Sequence, residues 1–168
     1  NWKGQTVFIE ALNILNQEAY TKAFSAIILG SDQGRNVYYK KLLSLVEKYR
    51  LNQKIQFFSS CKEMPLAYKI ADVVVSASIE PEAFGRVSVE AQSMEKPIVA
   101  SEIGGSMETI AKDKSGLLFK SGDPIALADK LKEVLSLDEN TLKLMGIEGR
   151  KNVLKKFDVE KMCTSTIS

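Results

Sequence analysis

Short apolar runs separated by longer amphipathic stretches recur along this chain, and that alternation constrains its fold more than any other feature. Five runs read as strands: Ser25–Gly30, Ile55–Phe58, Asp72–Ser76, Pro97–Ser101 and Gly116–Phe119. They are brief and rich in β-branched or aromatic residues, and their near-continuous apolarity predicts burial on both faces. Between them Thr6–Asn16, Asn36–Tyr49, Pro65–Ile70, Val87–Met94 and a short turn at Met107–Ala111 read as helices. Asp123 ahead of Pro124 predicts a capped helix start running to Leu135, and Asp138 predicts the cap of a last helix ending near Phe157. Strands that alternate with helices call for crossover units. The expected fold is therefore α/β, a Rossmann-like doubly wound parallel sheet with helices on both faces.

The chain has 168 residues with no internal repeat and no low-complexity segment, so residues 1–168 read as one domain. In open sheets of this class ligands sit beyond the carboxyl ends of the strands. Gly30, Ser59 to Lys62, Ser78 to Gly85 and Ser101 to Gly105 fall at such ends. Neither Gly-x-Gly-x-x-Gly nor Gly-x4-Gly-Lys-Ser/Thr occurs, and Gly30 to Gly34 has the wrong spacing for both, which argues against a dehydrogenase or a P-loop ATPase.

The segment Glu82-Ala83-Phe84-Gly85-Arg86-Val87-Ser88-Val89-Glu90 carries the clearest chemical signal. It places a glycine before a helix start, where backbone N–H groups and the positive end of the helix dipole favour a phosphate. A carboxylate farther into that helix can accept hydrogen bonds from ribose hydroxyls. The arrangement suits a nucleotide-sugar, and a lysine such as Lys3 could add a point charge for a departing diphosphate.

Other classes of chemistry are excluded by composition. The chain contains no histidine, which removes Ser-His-Asp and Cys-His catalysis and the usual zinc sites. A formal net charge of +2 gives no reason to expect nucleic acid as a partner. Cys61 and Cys163 lie far apart without metal-ligand spacing, so a reduced cytoplasmic setting is expected. No apolar run reaches the ~18 to 20 residues of a membrane span. The basic stretches at Lys40-Lys41 and Arg150 to Lys156 read as solvated helix faces, with Leu42, Leu43, Val46, Val153 and Leu154 left for the core. Peripheral contact with the inner face of a membrane is the alternative reading of those charges.

Taken together, the residues resemble the C-terminal donor-binding domain of retaining GT-B glycosyltransferases of family 4. The likeness rests on Glu82 and Glu90 as a Glu-x7-Glu motif, then Lys96-Pro97-Ile98-Val99-Ala100-Ser101, Gly104-Gly105-Ser106-Met107-Glu108, Gly116-Leu117-Leu118 and Gly122-Asp123-Pro124. Upstream, Ala71-Asp72-Val73-Val74-Val75 agrees with it. The resemblance implies that Glu82 meets the donor sugar, Glu90 the ribose and Lys3 the donor phosphates. Glu82 and Lys3 are then the catalytic candidates. Donor contacts are expected at Gly30, Ser59, Ser60, Lys62, Ala83, Phe84, Gly85, Arg86, Val87 and Glu90.

Some positions depart from the family pattern. Ala83 and Ser59 stand where glycines are usual, Ala77 stands where a proline is usual, and the arginine expected before Lys3-Gly4 is not in this chain. The resemblance implies hexose transfer from a UDP- or GDP-sugar to a saccharide or lipid-linked acceptor, with no metal or other cofactor. The acceptor would be held by an N-terminal domain absent from this chain, and no transferase activity is expected of the chain alone. The alternative is a noncatalytic nucleotide-binding or interaction domain of the same half-fold.

Overall fold

A computed structural model describes residues 2–17, 23–30, 36–59, 61 and 63–157. The elements in chain order are α1 (Gln5–Gln17), β1 (Ala26–Leu29), α2 (Asn36–Lys48), β2 (Ile55–Phe58), α3 (Met64–Ile70) and β3 (Val74–Ser76). They continue with α4 (Arg86–Ser93), β4 (Ile98–Ser101), α5 (Ser106–Thr109), β5 (Gly116–Phe119), α6 (Pro124–Ser136) and α7 (Glu139–Lys156). The expected elements are all present, with ends shifted by a residue or two where fraying and caps decide them.

The two caps read from sequence are formed. The Asp123 carboxylate accepts from the N–H groups of Ile125 and Ala126 at 3.0 and 3.1 Å, with Pro124 in the first turn where its missing donor does no harm. Asp138 accepts from the Thr141 N–H at 3.0 Å and from its hydroxyl at 2.6 Å. Those hydrogen bonds hold the Asp138 carboxyl below its ordinary pKa.

Among the described residues all strand pairs are parallel, as the class requires. Ala26 to Leu29 of β1 lie opposite Ile55 to Phe58 of β2, and β4 pairs with β3 through Val74–Ile98 and with β5 through Ile98–Gly116. Among the described residues these ladders form two sheets, β1-β2 and β3-β4-β5, rather than one continuous run. One hydrophobic cluster nevertheless spans both, joining Ala26 and Ile55 to Val99, Leu117 and Phe119.

The two faces of β4 and β5 separate residue by residue, because successive side chains of a strand point to opposite sides. Val99, Leu117 and Phe119 pack with Ile9 and Leu15 of α1, Leu42 and Val46 of α2, and Leu127 and Leu131 of α6. Ile98, Ala100 and Leu118 pack instead with Tyr68 of α3 and Ala91 of α4. Helices thus cover both faces, and β4 and β5 are buried throughout. Burial is less complete at β1 and β2, where Ile27 and Phe58 are 45% and 46% exposed, against the expectation for such apolar runs. Leu43 and Leu154 also depart from expectation: each lies on the outer face of its helix, exposed beside the lysines rather than in the core.

The last helix is tied to the middle of the chain by buried polar groups. The fully buried Gln92 donates through Nε2 to the carbonyls of Ser88 at 3.0 Å and Thr109 at 2.9 Å. Asn152 of α7 donates to Gln92 Oε1 at 3.1 Å and to the Thr109 carbonyl at 2.8 Å. These bonds fix α4, α5 and α7 against one another, and buried amides satisfied in this way specify one arrangement.

Candidate functional site

Lys3 lies between Trp2 and Gly4, immediately before α1, and Gly4 decides where that lysine goes. Its backbone sits at φ 68°, and a β-carbon there would stand 1.8 Å from the Ala77 carbonyl oxygen, so only glycine lets the chain pass so close to the end of β3. The Trp2 carbonyl accepts from the Ile79 N–H at 2.8 Å on the same crossing. Lys3 Nζ is thereby brought 2.9 Å from Glu82 Oε2 across 79 positions of sequence. It also lies 4.1 Å from the centre of the Trp2 ring.

The other oxygen of Glu82 accepts from the hydroxyl of Ser78, a residue only 4% exposed at the end of β3. Glu82 is therefore held from both sides, by a cation and by a buried hydroxyl. Its own carbonyl accepts from the Gly105 N–H at 2.8 Å, which joins the loop after β3 to the loop after β4.

Gly85 forms the N-cap of α4 in the left-handed conformation, φ 68° and ψ 49°, with no side-chain cap on the helix start. Gly105 packs against the backbone of Phe84 and Gly85 so closely that a β-carbon would come within 2.4 Å of the Phe84 carbonyl carbon. This contact brings the starts of α4 and α5 together. Beside them an open groove of about 690 Å³ is lined by Pro81, Glu82, Ala83, Gly104, Gly105, Met107 and Glu108.

Glu90 lies one turn into α4 and is likewise held at both oxygens. Oε1 accepts from Arg86 Nε at 2.8 Å, and Oε2 accepts from the Tyr68 hydroxyl at 2.8 Å. Arg86 is 83% exposed in its side chain, and pairing with Glu90 raises its proton affinity further. Tyr68 is buried, and burial together with the hydrogen bond to Glu90 pushes its phenol well above the ordinary tyrosine range.

The structure brings Lys3, Glu82, Ala83, Phe84, Gly85, Arg86, Val87 and Glu90 into one region around the start of α4. Gly30 and Ser59 lie at the carboxyl ends of β1 and β2, on the other sheet, with the Gly30 N–H bonded to the Phe58 carbonyl at 3.0 Å. Ser60 and Lys62 lie outside the described residues, as does Cys163, while Cys61 is a free, half-buried thiol. The Phe84 ring packs edge-on against Phe157 with centroids 5.4 Å apart.

Two partners of the carboxylates carried no signal of their own in the sequence. Ser78 stands there only as the start of a loop, and Tyr68 as one aromatic residue in a short helix. Among the described residues no group of three Cys, Asp or Glu side chains is arranged to hold a metal ion. None of the described helices is long and apolar enough to cross a membrane.

Comparison with known proteins points one way. The family described as glycosyl transferases group 1 matches residues 1–152. A D-inositol 3-phosphate glycosyltransferase of Corynebacterium urealyticum is 34% identical over 143 residues, covering 83% of this chain and 34% of that protein. The chain thus spans about a third of the length of such curated relatives.

Among solved structures, a glycosyltransferase from Rickettsia africae superposes with a TM-score of 0.92 at 32% identity, over 99% of this chain and 43% of that one. Anabaena HepE in complex with UDP-glucose gives 0.87 at 28% identity, over 99% of this chain and 45% of that one. The C-terminal domain of a group 1 protein from Francisella tularensis gives 0.81 at 28% identity, over 94% and 81% of the respective chains.

Proposed function

The chain belongs to the glycosyl transferases group 1 family, and from that premise we propose that it is the donor-binding domain of a retaining hexosyltransferase using a UDP-sugar. The observation that carries this reading is the Lys3–Glu82 contact at 2.9 Å. The group proposed for the diphosphate and the group proposed for the sugar meet where the bond between sugar and phosphate must lie. Glu82, held by Ser78 and lining the groove, takes the sugar hydroxyls. Glu90, one turn into α4, takes the ribose, and the uncapped start of that helix together with Lys3 takes the diphosphate.

Negative charge grows on the diphosphate as the sugar bond breaks, and donors already in place stabilise it most at that stage. The fixed cation and the helix start do this without a resident metal or cofactor. Gly30 and the segment from Ser59 to Lys62 are assigned to the nucleotide base. The acceptor, a saccharide or a lipid-linked saccharide, falls to an N-terminal domain of the same protein, and without that domain the fragment is inactive. A cytoplasmic setting with peripheral membrane contact belongs to the same proposal, supported by exposed lysines on α2 and α7. The complex of HepE with UDP-glucose supports UDP ahead of GDP or ADP.

Calorimetry of this chain with UDP, GDP and ADP tests the reading. Saturable binding of UDP, weakened but still measurable in Glu90→Ala, is the expected result. No binding of any of the three by folded chain refutes it. In the full-length protein, normal turnover by Glu82→Gln would remove the role given to that carboxylate.

A further inference from the structure

We propose that Tyr68 is a positioning residue that aims Glu90 at the donor's ribose, an inference that rests on the reading of Glu90 given above. The two partners of Glu90 differ in kind. Tyr68 is 6% exposed, sits in the core formed by α3, α4, β4 and β5, and reaches Oε2 at 2.8 Å from 22 positions away in sequence. Arg86 reaches Oε1 at the same distance from the preceding turn of α4, with a side chain almost wholly in solvent. One oxygen is thus held by a group that packing fixes, and the other by a group free to leave.

That asymmetry determines what Glu90 can do. A carboxylate has lone pairs for about four hydrogen bonds, so a ribose diol can be received while the Tyr68 bond remains in place. An arriving diphosphate competes for Arg86, because a guanidinium pairs well with phosphate oxygens. Arg86 can then turn from Oε1 to the phosphate and open that oxygen to a ribose hydroxyl. Tyr68 keeps the carboxylate from following Arg86, so its plane stays turned toward the ribose. Burial and the neighbouring carboxylate keep the phenol protonated, and it remains a donor at any ordinary working pH. No covalent step is involved.

The test is the preference of this chain for UDP over 2′,3′-dideoxy-UDP, measured as the ratio of dissociation constants by calorimetry. The change Tyr68→Phe keeps the ring in the core and removes only the hydroxyl. It should reduce the ratio by about fivefold to tenfold, the order of the net contribution of one hydrogen bond, whereas Glu90→Ala should bring the ratio close to one. Arg86→Ala weakens both nucleotides together and leaves the ratio in place, because Tyr68 still holds the carboxylate.

A ratio unchanged in Tyr68→Phe, where Glu90→Ala abolishes it, overturns the inference and leaves the ribose role of Glu90 standing. A ratio that collapses in Arg86→Ala also overturns it, and that arm remains readable should Tyr68→Phe fold poorly. A ratio unchanged in Glu90→Ala removes the ribose reading itself.

Discussion

Replacing Gly105 with alanine perturbs the contact that joins the loop after β3 to the loop after β4. A β-carbon at that position would stand 2.4 Å from the Phe84 carbonyl carbon and 2.7 Å from both Gly85 N and Phe84 O. All three are backbone atoms, so no side chain can rotate away to make room. Ordinary contact begins near 3.4 Å, and the loop must recede by about 1 Å. Gly105 itself has φ −59°, so the change adds no backbone strain of its own.

Overpacking of this kind costs about 1–3 kcal/mol. In a domain of this size that lowers the melting temperature by about 2–12 °C. The same movement stretches the 2.8 Å bond from the Gly105 N–H to the Glu82 carbonyl and displaces the start of α4. Nucleotide affinity should fall about tenfold or more, equivalent to about 1.4 kcal/mol.

Gly122→Ala is the matched control. Gly122 has φ 75° with nothing within 4 Å of an added β-carbon, so that variant pays only the left-handed penalty of about 1–2 kcal/mol. It should melt lower and bind UDP as the parent does. Thermal melts and calorimetry with UDP on the three proteins decide the matter. If Gly105→Ala melts within about 1 °C of the parent and binds UDP equally well, the close packing of the two loops does not position the site.

Three other expectations follow from the same geometry. Gln92→Leu leaves the Thr109 carbonyl and Asn152 with fewer partners inside the core; urea unfolding should show a loss of about 1–3 kcal/mol, and an unchanged midpoint would contradict the locking role of that amide. Lys3→Ala removes a partly exposed ion pair, so stability should change by less than about 1 kcal/mol while affinity for UDP-glucose drops severalfold; calorimetry showing no drop would detach Lys3 from the donor. The Tyr68 phenol ionises near pH 10 in the unfolded chain and higher in the fold, so the stability it contributes is whole below about pH 10 and is lost as pH climbs beyond it. Melting of the parent should therefore decline more steeply above pH 10 than that of Tyr68→Phe, and parallel profiles would show that the phenol is not held protonated by the fold.

Much of the fold was legible along the chain because the deciding interactions are local. Asp123 with Pro124, and Asp138 with Thr141, act within three residues of one another, so their patterns announce a helix start wherever they occur. Leu43 and Leu154 show the limit of that reasoning. Periodicity made them core candidates, yet a helix face is defined by what packs on it, and among the described residues no element packs on theirs closely enough to bury them. Ile27 and Phe58 tell the same story for strands, since an apolar run cannot say whether both of its faces are covered.

Within the site, the stretch from Glu82 to Glu90 was recognisable because a glycine before a helix and a carboxylate one turn inside it are set by spacing. Alternation of short apolar runs with helices was enough to specify a parallel α/β fold and its order of elements. Tertiary structure alone decided that Lys3 would meet Glu82, that Ser78 and Tyr68 would hold the two carboxylates, and that Gln92 would lock α4 to α5 and α7. The physical reason is range. Backbone hydrogen bonds, caps and side-chain periodicity act over a few residues, whereas these pairs exist only because parallel strands deliver distant loops to the same edge of the sheet.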